Sequence, residues 1–239
     1  MNKLNVLEVS FEFNGMTDKI YPVILSDDKE MILIDCGYPN FLTLIEECAT
    51  KNNLDLSNLT KLIITHHDFD HMGSAADLKS KYPNIQILAS LKDEKYISGK
   101  EKSLRLQQAE SIYDNLPEER KEEALKFHKL LESIDNVDID ITLNNGDTFD
   151  WCGGIQIIET PGHMPGHISI YVKESKTLIA GDALVIEDEK LAIANPQYTL
   201  NMREAKKSIN KLLNYDIDKV ICYHGGIYQS DIKNSLEKI

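Results

Sequence analysis

Between residues 62 and 71 the chain reads Leu-Ile-Ile-Thr-His-His-Asp-Phe-Asp-His, and few folds accommodate such a passage. The apolar run Leu62-Ile63-Ile64 has the character of a short buried strand. Directly after it, His66, His67, Asp68, Asp70 and His71 crowd three imidazoles and two carboxylates into one loop. Bringing those groups together is costly unless a cation compensates them. A strand end is also a rigid base from which nitrogen and oxygen ligands can hold a metal ion. The remaining histidines are unevenly placed. Of 7 in the chain, His163 and His167 lie in Thr-Pro-Gly-His-Met-Pro-Gly-His, His224 lies in Cys-Tyr-His-Gly-Gly, and only His128 falls outside these clusters.

Periodicity predicts strands over residues 5–13, 20–25 and 31–35, with Asp27-Asp28-Lys29-Glu30 turning between the last two. Asn40 is the expected cap of a helix through Leu42, Leu44, Ile45 and Cys48. A buried strand over 61–65 precedes the histidine loop. A helix over 73–81 stops near Tyr82-Pro83, and a strand follows over 85–89. From about 92 to 135 the composition turns to Lys, Glu, Gln and Arg with apolar residues at helical spacing, divided by Pro117. This predicts two amphipathic helices inserted between β-rich halves. They serve as a solvated hairpin over the core, as a lid beside the site, or as a dimerisation element. Strands return over 141–143, 148–151, 155–160, 168–172 and 177–180. A helix over 202–213 and a strand over 219–223 then deliver His224. The repeated order of strands, helix and strand suggests one α/β domain spanning 1–239, layered as an αββα sandwich.

Hydrolytic sites with two metals hold the cations about 3.5–4 Å apart, with a shared carboxylate and a shared hydroxide. Strand-end candidates divide into His66, Asp68 and His163 for one cation, and Asp70, His71 and His224 for the other. Asp182, in Ile-Ala-Gly-Asp, is the expected bridge. All seven are nitrogen or oxygen donors, which suits two divalent ions of Zn, Fe or Mn. Asp35 and His167 are expected to hydrogen-bond the ligands rather than bind metal. His128, on a charged helix face, is expected to be exposed and inert, and Asn195 and Tyr198 lie on a loop that can border the cleft.

Asp35 in Ile-Asp-Cys-Gly, the His66–His71 loop, His163 in Thr-Pro-Gly-His, Asp182 in Ala-Gly-Asp and His224 before Gly225 occur in the order found in the metallo-β-lactamase superfamily, which the chain resembles from about residue 5 to 228. The resemblance implies a dinuclear site in a shallow cleft at one edge of the β-sandwich. It says far less about substrate, because that fold hosts thioesterases, lactonases, β-lactamases, phosphodiesterases, nucleases and oxidoreductases. One departure matters. The superfamily pattern is H-x-H-x-D-H, and Asp68 stands at the second histidine position. Either Asp68 ligates in place of imidazole, or that metal site is weakened and His67 is a spectator. Alternation along an extended loop turns His67 away and favours Asp68. An oxygen-richer site shifts preference from Zn toward Fe or Mn.

The expected activity is hydrolysis of an ester-type bond, such as a thioester or lactone, with Asp70 orienting the nucleophile or passing a proton to the leaving group. The alternative is diiron reduction of oxygen or nitric oxide with a separate electron donor, because flavo-diiron reductases also carry an acidic residue at the Asp68 position. The formal net charge is -13, from 39 acids against 26 bases, which argues against nucleic acid or anionic membrane as partner. A small-molecule substrate and, through the insertion, a homodimer are the expected partners. Four scattered cysteines with no C-x-x-C pair fit a reducing cytoplasm, and no export signal is evident.

Overall fold

A computed structural model describes residues 2–13 and 15–239. Strand β1 (Lys3–Val6) is followed by the hairpin β2 (Val9–Phe13) and β3 (Met16–Ile20), then β4 (Val23–Ser26) and β5 (Met31–Ile34). Helix α1 (Leu42–Lys51) leads through a short 3-10 turn to β6 (Lys61–Ile64), α2 (Phe69–Met72), α3 (Ala75–Lys81) and β7 (Gln86–Ser90). The inserted stretch holds α4 (Glu94–Ile97), α5 (Leu104–Tyr113) and α6 (Glu118–Glu132). Strands β8 (Ile141–Leu143), β9 (Thr148–Phe149), β10 (Ile155–Glu159), β11 (Ile168–Val172) and β12 (Thr177–Gly181) come next. The chain continues with β13 (Val185–Glu187), β14 (Lys190–Ala192), α7 (Met202–Leu212), β15 (Lys219–Cys222), β16 (Gly226–Tyr228) and α8 (Ile232–Glu237).

The larger strands form two six-stranded sheets, β1-β4-β5-β6-β7-β8 and β16-β15-β12-β11-β10-β9. In the first, β5, β6, β7 and β8 run parallel, and in the second β12 and β15 do. Parallel strands are covered on both faces, which is why β6 is apolar at every position from Leu62 to Ile64. The alternation of side chains across each sheet sorts the core into layers. Val23, Leu25, Ile32, Ile34 and Ile63 meet Ile155, Ile157, Ile168, Ile170 and Ile179 between the sheets. Ile24, Leu33, Leu62, Ile64 and Ile87 face outward onto Ile45 and Ala49 of α1 and Leu78 of α3. On the far side Leu178, Ala180 and Val220 pack on Ile209 and Leu212 of α7 and Ile232 and Leu236 of α8. The result is the four-layer αββα sandwich. In α7 the buried residues Ala205, Ser208, Ile209 and Leu212 recur at three- and four-residue spacing, so a single stripe faces the sheet. Asn201 closes its start by accepting the Glu204 amide at 3.1 Å.

Three local expectations fail. The strand predicted over 5–13 is two strands, because β1 pairs with β4 whereas β2 turns back on β3 in a separate hairpin. Asn40 does not cap α1: it sits at φ 68°, and the cap position is Phe41, whose amide donates to Ser74 Oγ at 2.8 Å. His128 is half-buried rather than exposed, with its ring 5.6 Å from that of Tyr113. Strands β3, β13, β14 and β16 and helices α2 and α8 were not anticipated, and the insertion holds three helices where two were expected. The four cysteines are buried and unpaired. Among the described residues no helix is long and apolar enough to cross a membrane.

The inserted stretch packs directly over the histidine loop. Leu106, Ala109 and Leu131 form a small apolar cluster with Phe69, Phe127 and Ile134. Phe69 belongs to α2, immediately after Asp68, and its ring meets that of Phe127 edge-on at 5.6 Å.

Candidate metal centre

The loop after β6 is anchored by a residue in strained backbone on the neighbouring strand. Asp35, at the end of β5, adopts φ 60°, a conformation that costs a non-glycine residue free energy. What it gains is position. Asp35 Oδ1 accepts the Thr65 amide at 2.8 Å, and Oδ2 accepts the Thr65 hydroxyl at 2.8 Å and His71 Nδ1–H at 2.8 Å. Thr65 Oγ1 in turn lies 3.0 Å from His66 Nδ1 and accepts its proton. One carboxylate thereby anchors the Nδ1 sides of both rings, His71 directly and His66 through Thr65, so that both Nε2 atoms point away from their supports.

Those two Nε2 atoms, together with Asp182 Oδ1, are buried and make no hydrogen bond. Buried polar atoms without partners are rare and call for an explanation. Here they converge. His66, Asp68 and His163 present one ligand atom each within 4.8 Å of one another, as do His66, His71 and Asp182, and Asp70, His71 and His224. Asp182 lies between the groups, with Oδ1 at 3.3 Å from His71 Nε2 and 3.7 Å from His224 Nε2, and Oδ2 at 3.5 Å from His163 Nε2. The donor set and its unsatisfied atoms fit divalent cations. All seven residues singled out as metal ligands thus gather at one edge of the sandwich.

Asp182 is held in turn by His167. The imidazole donates through Nδ1 to Thr160 Oγ1 at 2.8 Å and accepts the Asp182 amide through Nε2 at 2.9 Å. That second bond requires an unprotonated Nε2, and burial, reinforced by the His163 ring, pushes His167 down to about 3. The glycine before Asp182 is required: Gly181 has φ +54°, and a Cβ there would lie 2.7 Å from His167 Nε2.

His67 points out of the cluster. Its Nδ1–H donates to Asp93 Oδ2 at 2.8 Å, its Nε2 accepts the Leu104 amide at 3.3 Å, and its ring stacks on Tyr96. It pins the start of α5 to the histidine loop. Asn195 closes a turn by accepting the Gln197 amide, and Tyr198 offers its carbonyl to the site while its ring stays half-exposed.

Two residues escaped the sequence reading. Tyr223 packs its ring 4.0 Å from that of His71 and donates its hydroxyl to the Asp70 carbonyl at 2.6 Å. Arg105, on α5, is 3 % exposed and forks onto Asp68, with Nε to Oδ1 at 3.0 Å and Nη2 to Oδ2 at 2.6 Å. The available signal is spacing: Arg105 and Ala109 are both buried one helical turn apart, so Arg105 lies on the apolar stripe.

Charge is distributed unevenly. Burial drives His66 well below its ordinary value. Burial acts the same way on His71, but the carboxylates of Asp182, Asp35 and Asp70 overcome it and hold His71 well above. His224 is also raised, with Asp182 and Asp70 outweighing its burial. Burial opposes the ionisation of Asp68, yet Arg105 and His163 keep its carboxyl well below the usual range.

The family model of the metallo-beta-lactamase superfamily matches residues 20–224. A protein named probable metallo-hydrolase YflN, from Bacillus subtilis (strain 168), is 26% identical over 232 residues, covering 89% of this chain and 83% of that protein. Hydroxyacylglutathione hydrolase GloC of Haemophilus influenzae is 31% identical over 166 residues, 68% of this chain and 65% of its own length. Among solved structures, a metallo-beta-lactamase family protein from Thermus thermophilus superposes with a TM-score of 0.76 at 20% identity, over 98% of this chain and 77% of that one.

Proposed function

Because the chain belongs to the metallo-beta-lactamase superfamily, we propose that it is a metal-dependent hydrolase of an ester-type bond in a small molecule, a thioester or lactone before others. The observation that carries this reading is the convergence of His66 Nε2, His71 Nε2 and Asp182 Oδ1, three buried atoms without hydrogen bonds inside a cluster of carboxylates and imidazoles. His66, Asp68 and His163 would hold one divalent cation and Asp70, His71 and His224 the other, with Asp182 shared. When bound, such a pair supplies an activated water and a Lewis acid for the substrate oxygen.

The chain's own groups set the rest. Asp35 and Thr65 hold the Nδ1 sides of His66 and His71 so that both Nε2 atoms face the cluster, and His167 fixes the Asp182 backbone. Asp70 faces the accessible edge beside His224, whose side chain is 33% exposed. From there it orients the nucleophile and passes a proton to the leaving group. The preference for a thioester rests on relatives whose names specify a hydroxyacylglutathione, which is a thioester.

Elemental analysis of the purified protein, followed by assays with thioester, lactone and phosphodiester substrates, tests the reading. Bound divalent metal with turnover of the carbonyl substrates is the expected result. Oxygen uptake with a chemical reductant, in place of hydrolysis, would move the site to redox chemistry. Protein that takes up no divalent metal and hydrolyses nothing would overturn the proposal.

A further inference from the structure

The Asp68 corner contains a cation of its own. Besides its fork onto Asp68, Arg105 donates through Nη2 to the Tyr198 carbonyl at 2.8 Å and through Nη1 to Gln108 Oε1 at 2.5 Å, and Nη2 lies 3.4 Å from His163 Nε2. Five donors in a fixed plane, held by three segments of chain, leave the guanidinium little freedom to withdraw. Its charge is permanent. Among the described residues, no lysine or arginine forms an ion pair with Asp70 or Asp182; their close partners are His71, His163 and His224.

We propose that Arg105 makes the two metal positions unequal: the cation held by Asp70, His71 and His224 binds first and tightly, and the one held by His66, Asp68 and His163 binds second and exchanges readily. This rests on the metal-centre reading above. Two physical effects act in the same direction. The guanidinium draws on both oxygens of Asp68, so the carboxylate has less charge to offer a metal. It also places a like charge beside the incoming cation in a buried setting where screening is weak. The position nonetheless exists as a metal site, because His66 Nε2 is buried there without a hydrogen bond.

The opposite role for Arg105 is to hold Asp68 in place as a ligand, and it predicts the opposite sign. The metal-free full chain is titrated with Zn²⁺ against a chromophoric chelator, with stoichiometry checked by elemental analysis. Wild type should show two steps separated by at least about tenfold. Arg105→Met, which keeps length without charge, should strengthen the second step by about 10- to 100-fold, the range by which groups bonded to a ligand tune affinity. His224→Ala should abolish the tight step, whereas His163→Ala should spare it. That pair keeps the order of binding open to refutation even if Arg105→Met fails to fold, and Arg105→Lys, which keeps the charge without the fork onto Asp68, then reads the guanidinium's part. Two equal steps in wild type, a weaker second step in Arg105→Met, or loss of the tight step in His163→Ala would each overturn the inference. Failure of wild type to bind any Zn²⁺ would instead overturn the metal-centre reading.

Discussion

The two sides of the candidate metal centre are built from matching residue types and closed in different ways. Around Asp68 the side chains of His66, Asp68 and His163 are at most 5% exposed, and the roof is Arg105 from the inserted helix. Around Asp70 the side chains open outward, with Asp70 at 13% and His224 at 33% exposure. The closed side carries a positive charge that no ordinary pH removes. The open side owes its positive charge to His71 and His224, which exchange protons. Equivalent ligand counts therefore do not make equivalent sites; the neighbours of the ligands decide how each behaves.

The most damaging test of this contrast is Asp182→Ala, because Asp182 lies between the two sides. Metal content and activity should fall together, by more than the roughly 10- to 100-fold that loss of an outer partner costs. A variant that keeps two metals would break the assignment of Asp182 as the shared ligand. Next comes Asp35→Asn. Its amide offers one acceptor oxygen where the carboxylate offers two, so either the Thr65 amide or the pair of His71 Nδ1–H and the Thr65 hydroxyl loses its acceptor, and metal affinity should drop by about 10- to 100-fold. The open side, through His71, should suffer at least as much as the closed side, as read by chelator competition.

A smaller effect is expected from His67→Phe. It leaves Asp93 buried without its imidazole partner and cuts the tie to the Leu104 amide. A cost of about 1–3 kcal/mol in denaturant unfolding should result, with faster amide exchange at the start of α5. Unchanged exchange there would mean that Arg105 alone holds the roof down.

The gentlest test is pH, on metal-free protein. His71 and His224 are raised above the ordinary histidine value near 6.5. Their contribution to stability is fully present below about pH 6.5. It drains as pH climbs through the raised values. Asp68 is lowered, so its contribution is present above the ordinary carboxylate value of about 3.9 and is lost as pH falls through the depressed one. Thermal melts across both windows should show the open side weakening on the alkaline limb and the closed side on the acid limb. Arg105→Met should alter the acid limb and spare the alkaline one.

The gathering of these seven residues was legible in the sequence because candidate ligands that follow apolar strands sit in recognisable local contexts. His66, Asp68, Asp70 and His71 come from one loop, and His163, Asp182 and His224 each follow a strand or turn with its own punctuation. The layer order followed from the alternation of strands and helices. What the sequence concealed depends on contacts between distant segments. Arg105 is 37 residues from Asp68, in a stretch where Lys, Glu and Arg look like solvated helix faces, and only the packing of α5 on Phe69 turns it inward. The break between β1 and β2 was missed for a similar reason. Both read as apolar alternation, and the break shows only in the pairing: β1 runs along β4 as far as the Leu7 amide on the Pro22 carbonyl, and β2 then folds against β3. His128 was misplaced because its helix is charged overall, while its own neighbour is Tyr113 on the preceding helix.

The guanidinium of Arg105 joins residues from both halves of the sandwich, Asp68 on one and the Tyr198 carbonyl on the other, to a helix that belongs to neither. Trimming that helix away would do more than expose a cleft: it would leave the Asp68 carboxylate to the imidazoles of His66 and His163, with no permanent positive charge beside it. The inserted segment is thus wired into the loop it covers, and a chain without it would meet metal at residue 68 with a different charge balance.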